Sequence, residues 1–189
     1  MPTLVFYTLL FFVDDAPNFS DANKWRVVGL VFITTCLIPI MTMVVFKLSK
    51  VIKDFHMKER KERYFPFLFV SFFYLVVSFM FRQQAWANSL MEVTFLTITT
   101  VVIITNGITF KYKISAHAAG VFGWLGFILA FSELNRSSYN LLLPLILAIA
   151  LSALVSWARL YLNAHSPQEV LAGAALGFSF SYFSIQIFV

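Results

Sequence analysis

The chain has 189 residues, of which 60% are hydrophobic, 18% aromatic and only 12% charged, and its net charge is +5. A soluble globule of this size needs more polar surface than these side chains supply. The composition excludes an ordinary soluble domain and indicates an integral membrane protein. The basic residues cluster at predicted helix ends, so we attribute the positive charge to contact with anionic lipid and predict no nucleic-acid binding.

Six apolar stretches follow one another along the chain. They cover residues 27–46, 64–81, 93–110, 118–132, 141–157 and 170–189. At a rise of about 1.5 Å per residue, most approach the length needed to cross the hydrocarbon core, and the shorter ones can use flanking residues. We predict an all-α polytopic membrane bundle of six transmembrane helices, forming a single domain over residues 1–189.

The opening segment, residues 2–13, is apolar but only twelve residues long, and it ends at Asp14 and Asp15. It is too short for a full span, so we predict an interfacial or partial span. It has no basic leader and no small-residue cleavage pattern, so we do not expect a signal peptide. The single cysteine, Cys36, lies in an apolar stretch and offers neither a disulfide framework nor a cysteine metal site.

Between the first two spans, residues 47–63 carry seven basic and three acidic side chains. Leu48, Val51, Ile52 and Phe55 follow helical spacing. The pattern predicts an amphipathic helix along the membrane interface.

Two polar patches interrupt the remaining apolar sequence, and each contains a histidine. The first is residues 113–117, Lys-Ile-Ser-Ala-His, and the second runs from Arg159 through His165 to Glu169 with the spacing Arg-x5-His-x3-Glu. Charged groups beside a membrane helix are costly unless they have a function. The basic segment and the two patches are each separated by two predicted crossings, so all three face the same side of the membrane.

These residue types suit phosphate-ester chemistry. Cations such as Arg159 and Lys113 can hold phosphoryl oxygens and stabilise the charge of the transition state. One imidazole can attack phosphorus while the other protonates the departing oxygen. Glu169 lies one helical turn after His165, where its carboxylate can fix the tautomer of the ring. We predict His165 as nucleophile, Glu169 as its orienter and His117 as general acid.

A metal site is the alternative for the same residues, since two histidines and a glutamate could ligate zinc. The His-x3-Glu spacing lacks the paired histidines of the usual helical zinc motif. Lys111, Lys113 and Arg159 would also repel a cation. We predict no metal and no cofactor.

The second patch resembles the third signature of the type-2 phosphatidic acid phosphatase superfamily, Ser-Arg-x5-His-x3-Asp. Ile-Ser-Ala-His, which contains Ser115 and His117, resembles its second signature, Pro-Ser-Gly-His. The resemblance covers about residues 50–180 and implies a six-helix, metal-independent phosphatase with a phosphohistidine intermediate. It implies that His165 is the nucleophile, His117 the acid, and Ser115 and Arg159 phosphate ligands.

The chain departs from these signatures at several positions. Glu169 stands where the family has Asp, which adds one methylene, and Ala158 stands where it has Ser. Ile114 and Ala116 replace Pro and Gly in the second signature. Gly173 and Gly177, four residues apart in the last span, predict a close helix-packing face beside the site.

The first signature, Lys-x6-Arg-Pro, is degraded and has two possible registers. One register places Lys53 and Arg60 at its basic positions, with Lys61 where proline belongs. The other places Arg63 at the arginine, with His56 where lysine belongs. We favour Arg63 because it abuts the next membrane helix.

A site at helix ends without a soluble cap suits a phosphate head group whose tails stay in lipid. We predict hydrolysis of a lipid phosphate or prenyl pyrophosphate, with the head group left open. The alternatives are a lipid phosphotransferase that uses the same histidine and a catalytically inactive lipid-phosphate-binding protein. A phosphotransferase would pass the phosphoryl group from His165 to a lipid hydroxyl instead of water.

The charge distribution and the resemblance disagree on the side of the membrane. Ten basic residues lie on the side of the patches and four on the other, which places the site in the cytoplasm by the positive-inside rule. Bacterial members of the family are expected to act on the outer face. We predict a bacterial inner-membrane protein and leave the side of the site and the oligomeric state open.

Overall fold

The computed structural model describes residues 1–13, 19–52, 60–134 and 141–189, with side chains from 65 to 133 in the third range. All regular structure in these residues is helical. Seven helices follow in chain order: α1 Pro2–Phe12, α2 Asp21–Leu48, α3 Arg60–Arg82, α4 Ser89–Thr109, α5 Ala116–Leu134, α6 Leu142–Tyr161 and α7 Pro167–Phe188. Helices α2 to α7 are long and apolar enough to cross a membrane. The predicted all-α bundle with six spans and a short N-terminal apolar segment is confirmed.

Helix α1 is a short apolar helix that packs against the other helices of the bundle. Phe6 is fully buried and meets the rings of Phe81 and Phe95 edge to face, with centroids 5.4 and 5.7 Å away. The indole N–H of Trp124 on α5 donates to Thr8 Oγ1 at 3.0 Å. The apolar side chains of this segment therefore contact other helices, and both predicted alternatives, an interfacial segment and a partial span, stay predictions.

Helix α2 contains one π-helical turn, Ile33–Leu37, just before Pro39. Proline has no N–H, so it cannot donate to the carbonyl of Thr35 four residues earlier. The hydroxyl of Tyr74 on α3 donates to that carbonyl instead, at 3.1 Å. The proline therefore creates an acceptor that ties α2 to α3.

The predicted amphipathic helix over residues 47–63 is wrong at its start. Helix α2 ends at Leu48, and residues 49–52 form a turn and a bend. Lys50 has a φ of 60°, in the left-handed region that ends a helix. Residues 53–59 lie outside the described residues.

Helices α5 and α7 cross closely because small residues face each other. A Cβ added to Gly173 would collide with the carbonyl oxygen of Ser115, and one added to Gly177 would collide with the backbone of Ala119. On the α5 side of this contact, a Cβ added to Gly126 would collide with the backbone of Phe178. The predicted packing face of Gly173 and Gly177 is confirmed. The crossing brings the start of α5 against the start of α7.

We expect Gly177→Ala to destabilise the protein, because an added methyl at a backbone contact forces the helices apart, at a typical cost of about 1–3 kcal/mol for overpacking. Gly107→Ala is the matched control, since nothing lies within 4 Å of the added Cβ. In this helical position alanine should be neutral or slightly stabilising. Thermal unfolding of both purified variants in the same detergent tests this. Equal melting temperatures would contradict the close-packing argument.

Candidate active site

The two polar patches meet at one end of the bundle. The N–H of Ser115 donates to the carbonyl of Glu169 at 3.1 Å, and Lys113 Nζ donates to the carbonyl of Ala164 at 2.7 Å. Near the end of α4, which leads into the first patch, the Asn106 amide donates to Ser71 Oγ near the start of α3 at 2.9 Å. The ring of Phe46 near the end of α2 meets that of Phe69 on the same part of α3, with centroids 5.6 Å apart. The chain therefore leaves α2 and enters α3 at the end that carries both patches.

The end of α6 determines how the chain passes from Arg159 to His165. Asn163 has a φ of 50°, a conformation that asparagine tolerates better than most residues. Its N–H donates to the carbonyl of Leu160 at 3.0 Å, and the N–H of Ala164 donates to the carbonyl of Arg159 at 3.1 Å. This pair of bonds is a Schellman motif. The N–H of His165 also donates to the Arg159 carbonyl, at 3.3 Å, so the chain folds back toward the last helical turn.

The start of α7 determines where the Glu169 carboxylate lies relative to His165. Ser166 caps the helix, and its Oγ accepts the N–H of Glu169 at 3.4 Å. The Glu169 carboxylate reaches back and accepts the N–H of Ser166 at 3.2 Å. Pro167 occupies the first helical turn, where no N–H is needed. This capping box holds the carboxylate over the residue before the cap, which is His165.

The Glu169 carboxylate and the His165 ring are in direct contact. Glu169 Oε2 lies 2.8 Å from His165 Nδ1, with 22% of the Glu169 side chain and 15% of the His165 side chain exposed. An ionised carboxylate only accepts hydrogen bonds, so Nδ1 carries the proton in this contact. The other ring nitrogen, Nε2, is then the one with a free lone pair.

Lys113 lies beside the same carboxylate. Its Nζ is 3.7 Å from Glu169 Oε2 while it donates to the Ala164 carbonyl. The ammonium has three donors, so at least one remains for a ligand. Lys113 thereby joins the loop before α5 to the loop before α7.

His117 and Ser115 stand at the start of α5 but differ in exposure. Ser115 is completely buried, and its Oγ accepts the N–H of Ala118 at 3.3 Å, so its hydroxyl caps the helix. His117 is exposed, and Arg159 and His165 are near enough to act on it electrostatically. The N–H groups of the first helical turn have no intrahelical acceptors and can face an anion.

Arg159 supplies an unused donor at this site. Its Nε is buried and has no hydrogen-bond partner among the described residues. A buried donor without an acceptor is unfavourable by about 1–3 kcal/mol. The oxygen of a bound phosphate group would satisfy it.

A metal-ligand set does not assemble in the described parts of the chain. No three His, Cys, Asp or Glu side chains cluster there at metal-binding distances. The Lys113 ammonium lies beside the His165 and Glu169 pair instead, and Arg159 is near enough to His117 to act on it electrostatically.

The predicted first signature is described only in part. Arg60 and Arg63 lie in the first turn of α3, but their side chains are outside the described residues. Lys53 and His56 lie wholly outside them.

Sequence reasoning missed two residues that shape the site, Asn163 and Ser166. Asparagine directly after a helix is a signal for a left-handed cap. Serine three residues before glutamate is the signal for a capping box. Both signals were present in the sequence.

Comparison with known proteins identifies one family. The family model described as the PAP2 superfamily matches residues 105–189, a range that contains both polar patches. The basic segment that carries the degraded first signature lies outside that range. Neither the search of curated proteins nor the search of solved structures found a match.

Proposed function

Because the chain is a member of the type-2 phosphatidic acid phosphatase superfamily, we propose that it removes phosphate from a lipid phosphate or prenyl pyrophosphate through a phosphohistidine. Family membership supports phosphatase-type activity on phosphate esters. The observation that carries the finer proposal is the 2.8 Å contact between His165 and Glu169. Arg159, whose carbonyl accepts the N–H of His165, adds a buried Nε without an acceptor among the described residues. The position of these groups at the ends of apolar spans supports a lipid substrate in a bilayer.

In the first step, His165 Nε2 attacks phosphorus while Glu169 holds the Nδ1 proton. The N–P bond forms as the P–O bond to the lipid breaks. His117, as imidazolium, gives its proton to the departing oxygen, which leaves as a lipid alcohol or, from a pyrophosphate, as a monophosphate. Arg159 Nε and the N–H groups at the start of α5 bind the phosphoryl oxygens.

In the second step, water attacks the phosphohistidine. Neutral His117 takes a proton from the water, the N–P bond breaks, and His165 recovers its lone pair as phosphate leaves. The exposure of His117 supports this role, because the attacking water must reach it. If a lipid hydroxyl replaces water, the same site is a phosphotransferase.

The remaining predicted phosphate ligands are supported by different observations. The buried hydroxyl of Ser115 favours a positioning role, since it caps the helix that carries His117. Lys113 has a donor left for phosphate while it neutralises Glu169. Arg63, or Arg60 in the other register, remains our proposal for a further phosphate ligand, and the bacterial inner membrane remains our proposal for location.

We expect His165→Ala to abolish phosphate release and His117→Ala to slow it by about 10²- to 10⁴-fold, the usual contribution of a general acid. Purified protein assayed with a panel of lipid phosphates tests both. Gln168→Ala, an exposed neighbour in the first turn of α7, is the control and should keep wild-type activity.

Phosphate trapping distinguishes the alternatives. Labelled substrate should leave acid-labile phosphate on the wild-type protein and none on His165→Ala. Release at near wild-type rate by His165→Ala would contradict the proposed roles. Binding without release or trapping would indicate an inactive binder, and transfer of label to an added lipid alcohol would indicate a phosphotransferase.

We expect activity to persist in excess EDTA and to be inhibited by vanadate. Arginine and lysine side chains neutralise the phosphoryl charge in the proposed mechanism, so a bound cation is not required. Phosphate release measured before and after chelation tests this. Activity that is lost on chelation and restored by zinc or magnesium would favour the metal alternative.

The basic segment gives a separate prediction. If Arg63 holds phosphate, Arg63→Ala should reduce kcat/KM about as much as Arg159→Ala, by about 2–4 kcal/mol of transition-state stabilisation, while Arg60→Ala does little. If Lys53 and Arg60 form the signature, the ranking reverses. Lys58→Ala is the surface-charge control. Silent changes at all the basic-segment positions would show that this segment only anchors the protein to lipid.

A further inference from the structure

A cavity of about 540 Å³ lies inside the bundle behind His117. This volume falls within the range of roughly 300–1,000 Å³ that is typical of small-molecule sites. The wall is mostly apolar and is contributed by helices α1 to α7, with representative residues Val5, Val70, Val101, Trp124, Phe127 and Val155.

The cavity reaches the candidate active site at His117, which lines it. On α5, Gly120 and Trp124 follow His117 at helical spacing and line the cavity one and two turns further along. On α6, Val155 lines it one turn before Arg159. The lining residues on α5 extend from Ala116 to Phe127, which corresponds to about 16 Å along the helix axis. The cavity therefore runs from the polar end of the bundle into its apolar part.

Several polar groups of the wall are already satisfied by the protein. The hydroxyl of Tyr74 donates to the Thr35 carbonyl, and the indole N–H of Trp124 donates to Thr8. The amide of Asn106 donates to Ser71 Oγ at 2.9 Å and to the Phe67 carbonyl at 3.3 Å. The Thr105 hydroxyl also lines the cavity and has no hydrogen-bond partner among the described residues. The rest of the interior presents mainly hydrocarbon surface, and the His117 imidazole lines the cavity at the polar end.

We propose that this cavity binds one hydrocarbon chain of the lipid phosphate while its phosphate group contacts Arg159, His117 and His165. This inference rests on the proposed function, and it differs from the sequence-based expectation that all substrate tails stay in the bilayer. An amphiphile with a phosphate at one end matches the polarity of the site and cavity together. Both acyl and prenyl chains have the required hydrocarbon chemistry.

The first test narrows the cavity one turn below Arg159. Val155→Phe adds a ring at the cavity wall, whereas the control Leu154→Phe adds one at a neighbouring side chain that is 58% exposed on the outside of the same helix. The readout is the ratio of kcat/KM for a long-chain phosphatidate to that for its dibutanoyl counterpart.

Val155→Phe should lower this ratio about tenfold, the scale on which a hydrophobic pocket discriminates chains. Leu154→Phe should leave it unchanged. An unchanged ratio in Val155→Phe, or an equal fall in both variants, would overturn the inference.

The second test does not depend on turnover. A variant with Trp25→Phe, Trp86→Phe and Trp157→Phe keeps only Trp124, which is 5% exposed and lines the cavity. A phosphonate analogue of phosphatidate with a brominated chain, which resists hydrolysis, should quench Trp124 fluorescence saturably in vesicles. Phosphatidylcholine with the same brominated chain should quench far less, and adding Val155→Phe should remove the specific quenching.

The two tests separate the inference from the proposed function. Specific quenching without turnover of any lipid phosphate would support the cavity and reject the phosphatase. Turnover without specific quenching would support the phosphatase and reject the cavity. Equal quenching by the phosphonate and by phosphatidylcholine would also reject the proposed chain-binding cavity. Competition by unbrominated phosphatidate or by a prenyl phosphate identifies which chain the cavity prefers.

Discussion

The Glu169 carboxylate is the interaction centre on which the polar end of this bundle depends. One oxygen, Oε2, lies 2.8 Å from His165 Nδ1, 3.2 Å from the N–H of Ser166 and 3.7 Å from Lys113 Nζ. The family signature has Asp at this position, but Glu at the third helical position is the residue that can reach back to the cap. The extra methylene therefore lets one side chain complete the capping box and orient the histidine.

The close crossing of α5 and α7 makes this arrangement possible. The N–H of Ser115 reaches the Glu169 carbonyl because Gly173 has no Cβ to hold the helices apart. Helix association in a bilayer gains little from the hydrophobic effect and depends on close packing and hydrogen bonds. The glycines thus determine how near His117 comes to the loop that carries Arg159 and His165.

Much of the fold could be predicted because its signals are local. Six apolar stretches indicated six spans. The pairing of His165 with Glu169 was predicted from helical spacing, but His165 precedes the helix, and the capping box at Ser166 brings the two side chains together. The length of segment 2–13 limited it to an interfacial or a partial span, but its burial against Phe81 and Phe95 depends on contacts distant in sequence. The turn at Lys50 was missed because apolar residues at helical spacing also occur where a helix has already ended.

The residue types of the site could be predicted from the sequence. Which of their polar groups already have partners within the protein could not. A sequence does not show that Ser115 is buried as a cap, that Lys113 already contacts a carboxylate, or that Arg159 Nε lacks an acceptor. Each of these follows from the packing of α5, α6 and α7 at one end of the bundle.

The hydrogen-bonding groups along the cavity and those at the polar end of the bundle have different roles in the proposed reaction. Along the cavity, the donors of Tyr74 and Trp124 are used within the protein, so this region favours a chain that makes no hydrogen bonds. At the polar end of the bundle, Arg159 Nε has no acceptor among the described residues, and His117 is exposed to the water that the second step of the proposed reaction would consume. Because His165, the proposed nucleophile, is only 15% exposed, substrate phosphate can displace water around it while the proposed acid, His117, remains hydrated. In the proposed reaction, the boundary between apolar and polar surface at His117 would therefore both orient an amphiphilic substrate and keep hydrolysis at the end of the bundle.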